Sequence, residues 1–363
     1  MVKTFHIAVM PGDGIGWDIT QPSVDLISEV AAGYGVRLNC DIVDAGAYLY
    51  KKTGDAFPEE NFQFAASADA IYLAAMGDPE IRYPDGREIG PQHDLRKRLK
   101  LYAGVRPCLT MPNMPSPLRD PRAADLDFVI VRESTEGVMA YPERSIFDSE
   151  EAAYNITKIS RSTSEKLFRF SFNYARKRRD AGISEGKVTC LNKSNVFSSQ
   201  AFFQSVFDDV KTEYPDIATD YMYVDAAAMN FVRKPWTFDV CPVENAYGDV
   251  LTDLTAALMG GMGMAPSGEI GDNNAVFQPC HGSAPKMAGT GTANPTAMVL
   301  SGAMMLEYLA DKFDCPEAQK ASDKVFGIVK AAYATGKYCP HDFGGSDGVE
   351  TMINAFRDQL QIL

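Results

Sequence analysis

Three aspartates in the segment from Tyr223 to Asp253 have the spacing expected of a divalent-cation site. Asp249 and Asp253 lie four residues apart in GDVLTDLTAALM, which reads as the start of a helix, so both carboxylates project from one face. Asp225 follows the apolar run YMYV, at the carboxyl end of a predicted strand. Oxygen donors without a competing Cys or His pair favour Mg²⁺ or Mn²⁺ over zinc. The alternative is structural, with Asp249 as a helix cap, Asp253 as a solvated charge and Asp225 as a turn residue.

The elements that must position these aspartates alternate between strand and helix patterns. Strand patterns occur at FHIAVM, AIYLAAMGD, DFVIVRE, KVTCLN and YMYV, and long helical patterns begin at WDITQPSV, SRSTSEKL, NVFSSQAF, TAMVLSGA and PEAQKASD. This alternation predicts an α/β fold. The first glycine loop, GDGIGWD, does not match G-x-G-x-x-G, so a common dinucleotide-binding fold is not expected. The loop is either a tight turn with positive φ or a ligand contact.

Composition excludes several classes of function. The chain has 363 residues, 45% of them hydrophobic and 23% charged, as in ordinary globular proteins. A net charge of −13 argues against nucleic-acid binding, and no apolar run approaches the roughly 20 residues of a membrane span. Seven scattered cysteines and the lack of a signal-peptide pattern predict reduced thiols and a cytoplasmic location. The basic cluster ARKRRD (175–180) is interpreted as the solvated end of an amphipathic helix.

Seven segments, taken together, resemble one enzyme family, the β-decarboxylating dehydrogenases of isocitrate, 3-isopropylmalate, homoisocitrate, tartrate and D-malate. They occur in the order and approximate spacing of that family, and the resemblance covers residues 6 to about 355. The segments are PGDGIG, LRKRLKLYAGVRP (95–107), VRESTEG (131–137), NKSNV (192–196), VDAAAMN (224–230), GDVLTD (248–253) and HGSAPKMAGTGTANP (281–295).

The resemblance implies a two-domain, isopropylmalate dehydrogenase-like α/β fold with a mixed sheet, which is not a Rossmann fold. One domain would comprise 1–107 and 261–363, and the other 108–260, with a cleft between them. The family forms homodimers in which each active site borrows residues from its neighbour. Here Lys193, Asn195 and Asp225 of one subunit would face Asp249 and Asp253 of the other.

The resemblance also implies a role for each polar residue. Arg96, Arg106 and Arg132 would bind the carboxylates of a 2-hydroxy acid, since guanidinium groups bind carboxylates bidentately. Lys193 would take part in proton transfer from the hydroxyl, and Asn195 would contact the substrate or the nicotinamide. The metal would chelate the α-hydroxyl and α-carboxylate and stabilise the enolate left after decarboxylation.

Two positions depart from the family pattern. A tyrosine that helps to protonate the enol usually lies seven residues after the arginine of VRE, but here that position is Met139, which has no proton to donate. Tyr141, two residues later, is the candidate replacement, with water as the alternative. Gln278 stands where the family commonly has Glu, which removes one charge near the cofactor loop.

The cofactor loop favours NADP over NAD. NAD-linked members usually have an aspartate after HG(S/T)AP to bind the adenosine ribose, whereas this chain has Lys286, which suits a 2′-phosphate. By the same resemblance Lys234 and His341 lie near that phosphate, although Met287 stands where the NADP-linked pattern has an aromatic residue. The predicted contacts of the adenosine half are His281, Gly282, Ser283, Ala284 and Asn294.

The substrate is predicted from the residues before Arg96, which meet the group on carbon 3. Isopropylmalate enzymes have apolar residues there, whereas this chain has Gln92, His93 and Asp94. Burying an isopropyl group against them would cost roughly 1–3 kcal/mol for each unpaired polar group, which favours a polar or absent substituent, as in isocitrate, homoisocitrate, tartrate or D-malate. Because MGDPEIRYPDG resembles one subgroup of isopropylmalate enzymes, 3-isopropylmalate is the alternative. An alternative of another class is a catalytically weakened, effector-binding subunit.

Overall fold

The structure, a computed structural model, describes residues 2–140, 146–147 and 152–362. It separates into two compact units. Unit 1 comprises Met1–Leu99, Thr110–Pro117 and Met259–Leu363, and unit 2 comprises Lys100–Leu109 and Leu118–Leu258. The domain boundaries drawn from the resemblance stay a prediction, because compactness does not test which segments fold independently.

Strands and helices alternate along most of the chain. The strands are β1 (Lys3–Gly12), β2 (Val36–Ile42), β3 (Ala70–Ala75), β4 (Ala103–Leu109), β5 (Asp127–Glu133), β6 (Ile146–Phe147), β7 (Ala153–Tyr154), β8 (Lys187–Asn192), β9 (Ala218–Tyr223), β10 (Val240–Val243), β11 (Pro266–Ile270) and β12 (Ala275–Pro279). The helices are α1 (Gly16–Gly33), α2 (Ala47–Thr53), α3 (Glu59–Ser67), α4 (Pro91–Arg98), α5 (Arg161–Asp180), α6 (Ser198–Val210), α7 (Val224–Arg233), α8 (Asn245–Leu258), α9 (Thr296–Phe313), α10 (Pro316–Ala334) and α11 (Val349–Ile362).

Unit 1 packs its helices on a sheet with the strand order β2-β1-β3-β12-β11. β11 and β12 pair antiparallel, and the other neighbours pair parallel. Helix α9 is buried along most of its length, and the Tyr72 hydroxyl of β3 donates to the Met298 carbonyl at 2.6 Å. A Cβ on Gly302 would overlap the Ile27 side chain, so glycine lets α1 and α9 approach closely.

Unit 2 has the strand order β4-β5-β10-β8-β9, with β4 antiparallel to β5 and the other pairs parallel. An aromatic cluster joins α5 to α6, with 4.6 Å between the ring centroids of Phe168 and Phe203 and 5.4 Å between those of Phe172 and Phe207. Strand β9 lies at an edge, and Tyr223 at its end is exposed. The carboxyl ends of β8, β9 and β10 lead into the segments that carry the predicted chemistry.

The predicted α/β class with a mixed sheet is confirmed, and neither strand order is that of a Rossmann fold. The interpretation of the basic cluster 175–180 as solvated is wrong for Arg178. This side chain is 6% exposed and donates to Asp239 at 2.7 Å and to Asp127 at 2.9 Å. The burial is possible because both neighbours are carboxylates, and a buried charge must be paired. Among the described residues, the structure has no helix long and apolar enough to cross a membrane.

Candidate active site

The three predicted metal ligands lie on helices α7 and α8 of unit 2. Asp225 is in the first turn of α7, and its side chain is 68% exposed. Helix α8 begins at Asn245, earlier than the sequence indicated, so Asp249 is inside the helix and the cap interpretation is wrong. Asp249 and Asp253 are both exposed on α8, one turn apart.

Two of the three aspartates are paired with a predicted catalytic or substrate-binding cation. Asp225 accepts a hydrogen bond from Lys193 Nζ at 2.8 Å, which lowers the pKa of the Asp225 carboxyl. Asp249 accepts from Arg132 Nη1. The pKa of Asp253 is raised, first by desolvation and then by the charge of Asp249.

A single chain does not bring these aspartates together as one metal site. Among the described residues, no group of three or more His, Cys, Asp and Glu side chains is placed to hold a metal ion. The donor set nevertheless suits Mg²⁺ or Mn²⁺, because Asp249 and Asp253 offer oxygen ligands from one exposed helix face. A third ligand would have to come from elsewhere, and the sequence predicts it to be Asp225 of a second subunit.

Arg106 and Arg132 lie on one face of the β4–β5 pair. Arg132 is directly opposite Gly104 in this antiparallel register, and Arg106 is two residues further along β4. Such diagonal neighbours are roughly 7–8 Å apart. Both arginines are buried apart from a small fraction, and both lower the pKa of Asp253, against the larger effect of desolvation. The structure therefore places two of the three predicted carboxylate-binding arginines side by side.

Arg132 is held by several side chains. Asn245 Oδ1 accepts hydrogen bonds from Arg132 Nε at 3.0 Å and from Nη2 at 2.7 Å. Met139 Sδ lies 3.5 Å from Arg132 Nη2, so the residue that replaces the family tyrosine contacts a predicted substrate-binding group. Asn245 is not among the residues predicted from the sequence, although ENAYGD shows an amide four residues before a predicted metal ligand.

Lys193 and Asn195 lie in the turn that follows β8. The carbonyl of Lys193 accepts from the backbone of Val196 and Phe197, each at 3.1 Å, which closes this turn ahead of α6. Lys193 is half-buried, whereas Asn195 is exposed. The structure pairs Lys193 with Asp225 and leaves the Asn195 side chain facing solvent.

Helix α4 of unit 1 carries the predicted substrate residues Gln92, His93 and Arg96. Arg96 forms an ion pair with Glu269 of β11 at 2.8 Å, a buried partner that sequence reasoning missed. Gln92 Oε1 and Arg96 Nε are buried, and neither has a hydrogen-bond partner among the described residues. His93 and Asp94 are exposed. Unsatisfied buried polar atoms one helical turn apart are what a polar ligand would satisfy.

The predicted cofactor loop packs against the amino-terminal glycine loop in unit 1. Ile15 N donates to the Ser283 carbonyl at 2.8 Å, and a Cβ on Gly14 would overlap that carbonyl. Gly12 and Gly14 have φ of 71° and 56°, which supports the tight-turn alternative for this segment. Asp13 between them is buried and accepts from three backbone amides, so this carboxylate organises loops.

Within the cofactor loop, His281 Nε2 is buried without a hydrogen-bond partner among the described residues. Burial lowers the pKa of His281, which favours a neutral ring. A Cβ on Gly282 would meet nothing within 4 Å, so this backbone is open to an approaching group. Lys286 is exposed, and Ala284 has a left-handed φ of 37°. An open backbone and an exposed cation are features that a dinucleotide contact would need.

The remaining predicted cofactor residues belong to both units. Asn294 donates to Asp342 Oδ2 at 3.0 Å, and its own Oδ1 accepts from Thr296, so its side chain is already occupied. His341 precedes Asp342 and is exposed, whereas Lys234 lies in unit 2 at the end of α7. Gln278 belongs to β12 and is buried. Tyr141 lies outside the described residues.

Comparison with known proteins gives consistent results. The sequence profile of the isocitrate/isopropylmalate dehydrogenase family matches residues 6–356. A 3-isopropylmalate dehydrogenase of Bacteroides fragilis is 37% identical over 316 residues, covering 86% of each chain. A 3-isopropylmalate/3-methylmalate dehydrogenase of Methanocaldococcus jannaschii is 37% identical over 341 residues, covering 94% of each. The crystal structure of isocitrate dehydrogenase from Methylococcus capsulatus superposes with a TM-score of 0.84 and 31% identity, covering 98% of this chain and 99% of that chain.

Proposed function

The chain belongs to the isocitrate/isopropylmalate dehydrogenase family of decarboxylating dehydrogenases, and we propose that it oxidises and decarboxylates a 3-alkylmalate of the 3-isopropylmalate class. The observation that carries the reaction type is the pair Arg106 and Arg132 on one sheet face, next to Asp249 and Asp253. The names of the relatives, in B. fragilis and M. jannaschii, support the alkyl substrate. The polar substrate favoured by the sequence analysis has no counterpart in those names.

A polar or absent carbon 3 substituent is the second candidate. Gln92 Oε1 supports it, because this buried acceptor has no partner among the described residues and an alkyl group would leave it unsatisfied. His93 and Asp94 on the same helix are exposed and can adapt to a larger group. One relative is named for 3-methylmalate as well as 3-isopropylmalate. A short alkyl substituent on carbon 3 is therefore intermediate in size between an isopropyl group and no substituent.

The residues of the chain would divide the reaction between them. Arg96, Arg106 and Arg132 bind and orient the carboxylates, and Lys193 accepts the proton of the 2-hydroxyl as the hydride leaves. Asp225, Asp249 and Asp253 would hold the divalent cation. When bound, this cation would supply Lewis acidity at the substrate oxygen. NAD(P), when bound, would supply the hydride acceptor. The charge of the arginines keeps the substrate in place while carbon dioxide departs.

We further propose a homodimer in which Asp225 serves the partner's metal. Outward-facing apolar side chains support it, with Val250 of α8 71% exposed and Met229 and Val232 of α7 both near half exposure. These residues flank the predicted ligands, so a second copy that covers them would bring Asp225 towards Asp249 and Asp253. Light scattering after size exclusion tests the dimer, and a monomer at micromolar concentration would contradict it.

A substrate panel tests the proposed activity. Purified protein with Mn²⁺ and either NAD or NADP is assayed with 3-isopropylmalate, 3-methylmalate, D-malate, tartrate, isocitrate and homoisocitrate. The expected result is the highest kcat/KM with 3-isopropylmalate. A preference for isocitrate or tartrate would establish the second candidate. Metal-dependent binding of a substrate with no turnover of any would support a regulatory subunit and would overturn the enzyme proposal.

Lys286→Asp is expected to reverse the cofactor preference, which we propose to be for NADP. The substitution removes the cation that would pair with the 2′-phosphate and adds a carboxylate that can accept ribose hydroxyls. We expect KM for NADP to rise about 10- to 100-fold and KM for NAD to fall. The matched control is Lys330→Asp, the same charge change at an exposed position of α10 in unit 1. Equal changes for the two cofactors would contradict the preference.

Tyr141→Phe is expected to lower kcat about 100-fold, because we propose that this hydroxyl donates the proton to the enol in place of the family tyrosine, whose position is occupied by Met139. The double variant Tyr141→Phe, Met139→Tyr should recover most of that loss, since Met139 already contacts Arg132. Steady-state kcat of the two single variants and the double variant measures this. If Tyr141→Phe leaves kcat unchanged, water is the proton donor.

A further inference from the structure

We propose that Asn245 is the positioning residue of Arg132, a role that rests on the proposed function because it concerns a substrate-binding arginine. Asn245 is the first residue of α8 and is 2% exposed. Its Oδ1 accepts from Arg132 Nε at 3.0 Å and Nη2 at 2.7 Å, which are the two nitrogens on the side edge of the guanidinium. Nη1 and the second N–H of Nη2 form the end of the guanidinium, which does not face Asn245 and is contacted by Asp249 at Nη1. That end is the one suited to bidentate binding of a carboxylate.

The carboxamide of Asn245 is itself fixed from the other side. Its Nδ2 donates to the Glu136 carbonyl at 2.8 Å, in the loop that follows β5. This hydrogen bond requires the amide nitrogen to face Glu136 and so assigns the oxygen to Arg132. Glu133 holds the same loop, since its carboxylate accepts from Thr135 N and Glu136 N, each at 2.7 Å. Arg132 is therefore oriented by a rigid connection between β5 and α8.

The first turns of α8 complete this arrangement. Asn245, Gly248 and Asp249 have the spacing of one helix face. A Cβ on Gly248 would lie 2.7 Å from Arg132 Cγ and 3.0 Å from Arg132 Cβ, so glycine makes room for the aliphatic part of the arginine. Asp249 then contacts Nη1. One helix face thus provides the space, the neutral acceptor and the neighbouring carboxylate.

A carboxamide suits this position better than a carboxylate. It accepts two hydrogen bonds without adding a negative charge, so Asp249 is the carboxylate that pairs with Arg132, whereas an aspartate at position 245 would neutralise the arginine further. A second carboxylate beside Asp249 would also repel a dianionic substrate in a poorly solvated site. An aspartate would in addition lose the donor to the Glu136 carbonyl.

Two near-isosteric variants test the proposal, Asn245→Leu and Asn245→Asp. The probe is the malate of the panel that the unchanged enzyme oxidises with the highest kcat/KM. We expect either variant to raise KM for this substrate about 10- to 100-fold while KM for the cofactor changes less than twofold, and Asn245→Asp to be at least as impaired as Asn245→Leu. Thr255→Val is the matched control, because Thr255 is also a buried polar residue of α8 and its hydroxyl donates only to the Thr252 carbonyl at 3.0 Å.

A crystal structure of Asn245→Leu provides a readout without turnover, and the expected result is an Arg132 guanidinium rotated away from its original plane. An unmoved guanidinium, or a substrate KM within twofold of that of Thr255→Val, would overturn the proposal. If the unchanged enzyme oxidises none of the malates, the proposed function fails by itself. In that case the crystal structure of Asn245→Leu or Asn245→Asp still tests the positioning of Arg132 without turnover. One variant that folds well is sufficient for this test.

Discussion

Lys193→Met is expected to lower kcat about 1000-fold while leaving KM for substrate and cofactor within a few fold. A positioned general base typically contributes between 100- and 10,000-fold, and methionine keeps the length and the apolar stem of lysine without a basic nitrogen. The structure holds the Lys193 amine 2.8 Å from Asp225, in the turn that follows β8. If the lysine serves in the chemical step and not in binding, the loss belongs to kcat. Steady-state kinetics with Mn²⁺ and the preferred cofactor measure it.

The other end of β8 supplies a close control for this prediction. Lys187 begins the same strand and forms a comparable ion pair, with 2.9 Å between its Nζ and Asp220 Oδ2. Because Lys187→Met removes the same charge and the same kind of ion pair, it reports the structural part of the effect. We expect its kcat to stay within about twofold of the unchanged enzyme, as exposed ion pairs contribute little. Similar losses in the two variants would assign Lys193 a structural role.

The sequence predicted the elements of the fold more completely than the contacts between side chains. Continuous apolar runs located β1 and β5, and helical patterns located α5 and α9, because each buries an apolar face or is buried along most of its length. The sequence pattern predicts a start of α8 later than Asn245, because asparagine is a poor helix former. In the structure the helix begins at Asn245, soon after the preceding strand ends. Local patterns cannot report such a boundary, because the neighbouring strand determines it.

Burial of charge was the main property that the sequence did not disclose. The cluster ARKRRD looks uniform along the chain, yet only a three-dimensional arrangement distinguishes Arg178, between Asp127 and Asp239, from its half-buried basic neighbours. The ion pair of Arg96 with Glu269 has the same origin, since the two residues are far apart in the chain and meet only because the fold of unit 1 brings α4 to β11. Long-range pairing of this kind has no local signature.

Asn245 was missed for a different reason. Its neighbours in ENAYGDVLTD attract attention as carboxylates, whereas a neutral amide reads as an ordinary residue near a helix start. Its importance depends on Arg132, which lies on β5 and is distant in sequence. The predicted metal ligands could be recognised in the sequence because aspartates at helical spacing are themselves the groups that bind a cation. A residue that acts by orienting another requires the structure.

The metal ligands also lead to a prediction about assembly. Asp225→Asn and Asp249→Asn are each expected to lower activity at least 1000-fold, because each removes a charged ligand of the cation. If Asp225 of one subunit completes a site with Asp249 and Asp253 of the other, a heterodimer of the two variants contains one doubly altered site and one unchanged site. Co-expression with two different affinity tags and sequential purification isolates that heterodimer. We expect it to have about half the activity of the unchanged dimer, since one of its two sites is intact.

The opposite assignment predicts a different result from the same proteins. If one chain supplies Asp225, Asp249 and Asp253 to its own site, both sites of the heterodimer carry a substitution and activity stays as low as in either parent. The shared arrangement is the one that we propose, and within the described residues of one chain no group of three such side chains is placed to hold a metal. Isothermal titration with Mn²⁺ gives a readout besides activity, with one high-affinity site expected per heterodimer and two per unchanged dimer. Recovery of both activity and one Mn²⁺ site would place Asp225 across the subunit interface, whereas recovery of neither would confine the site to one chain.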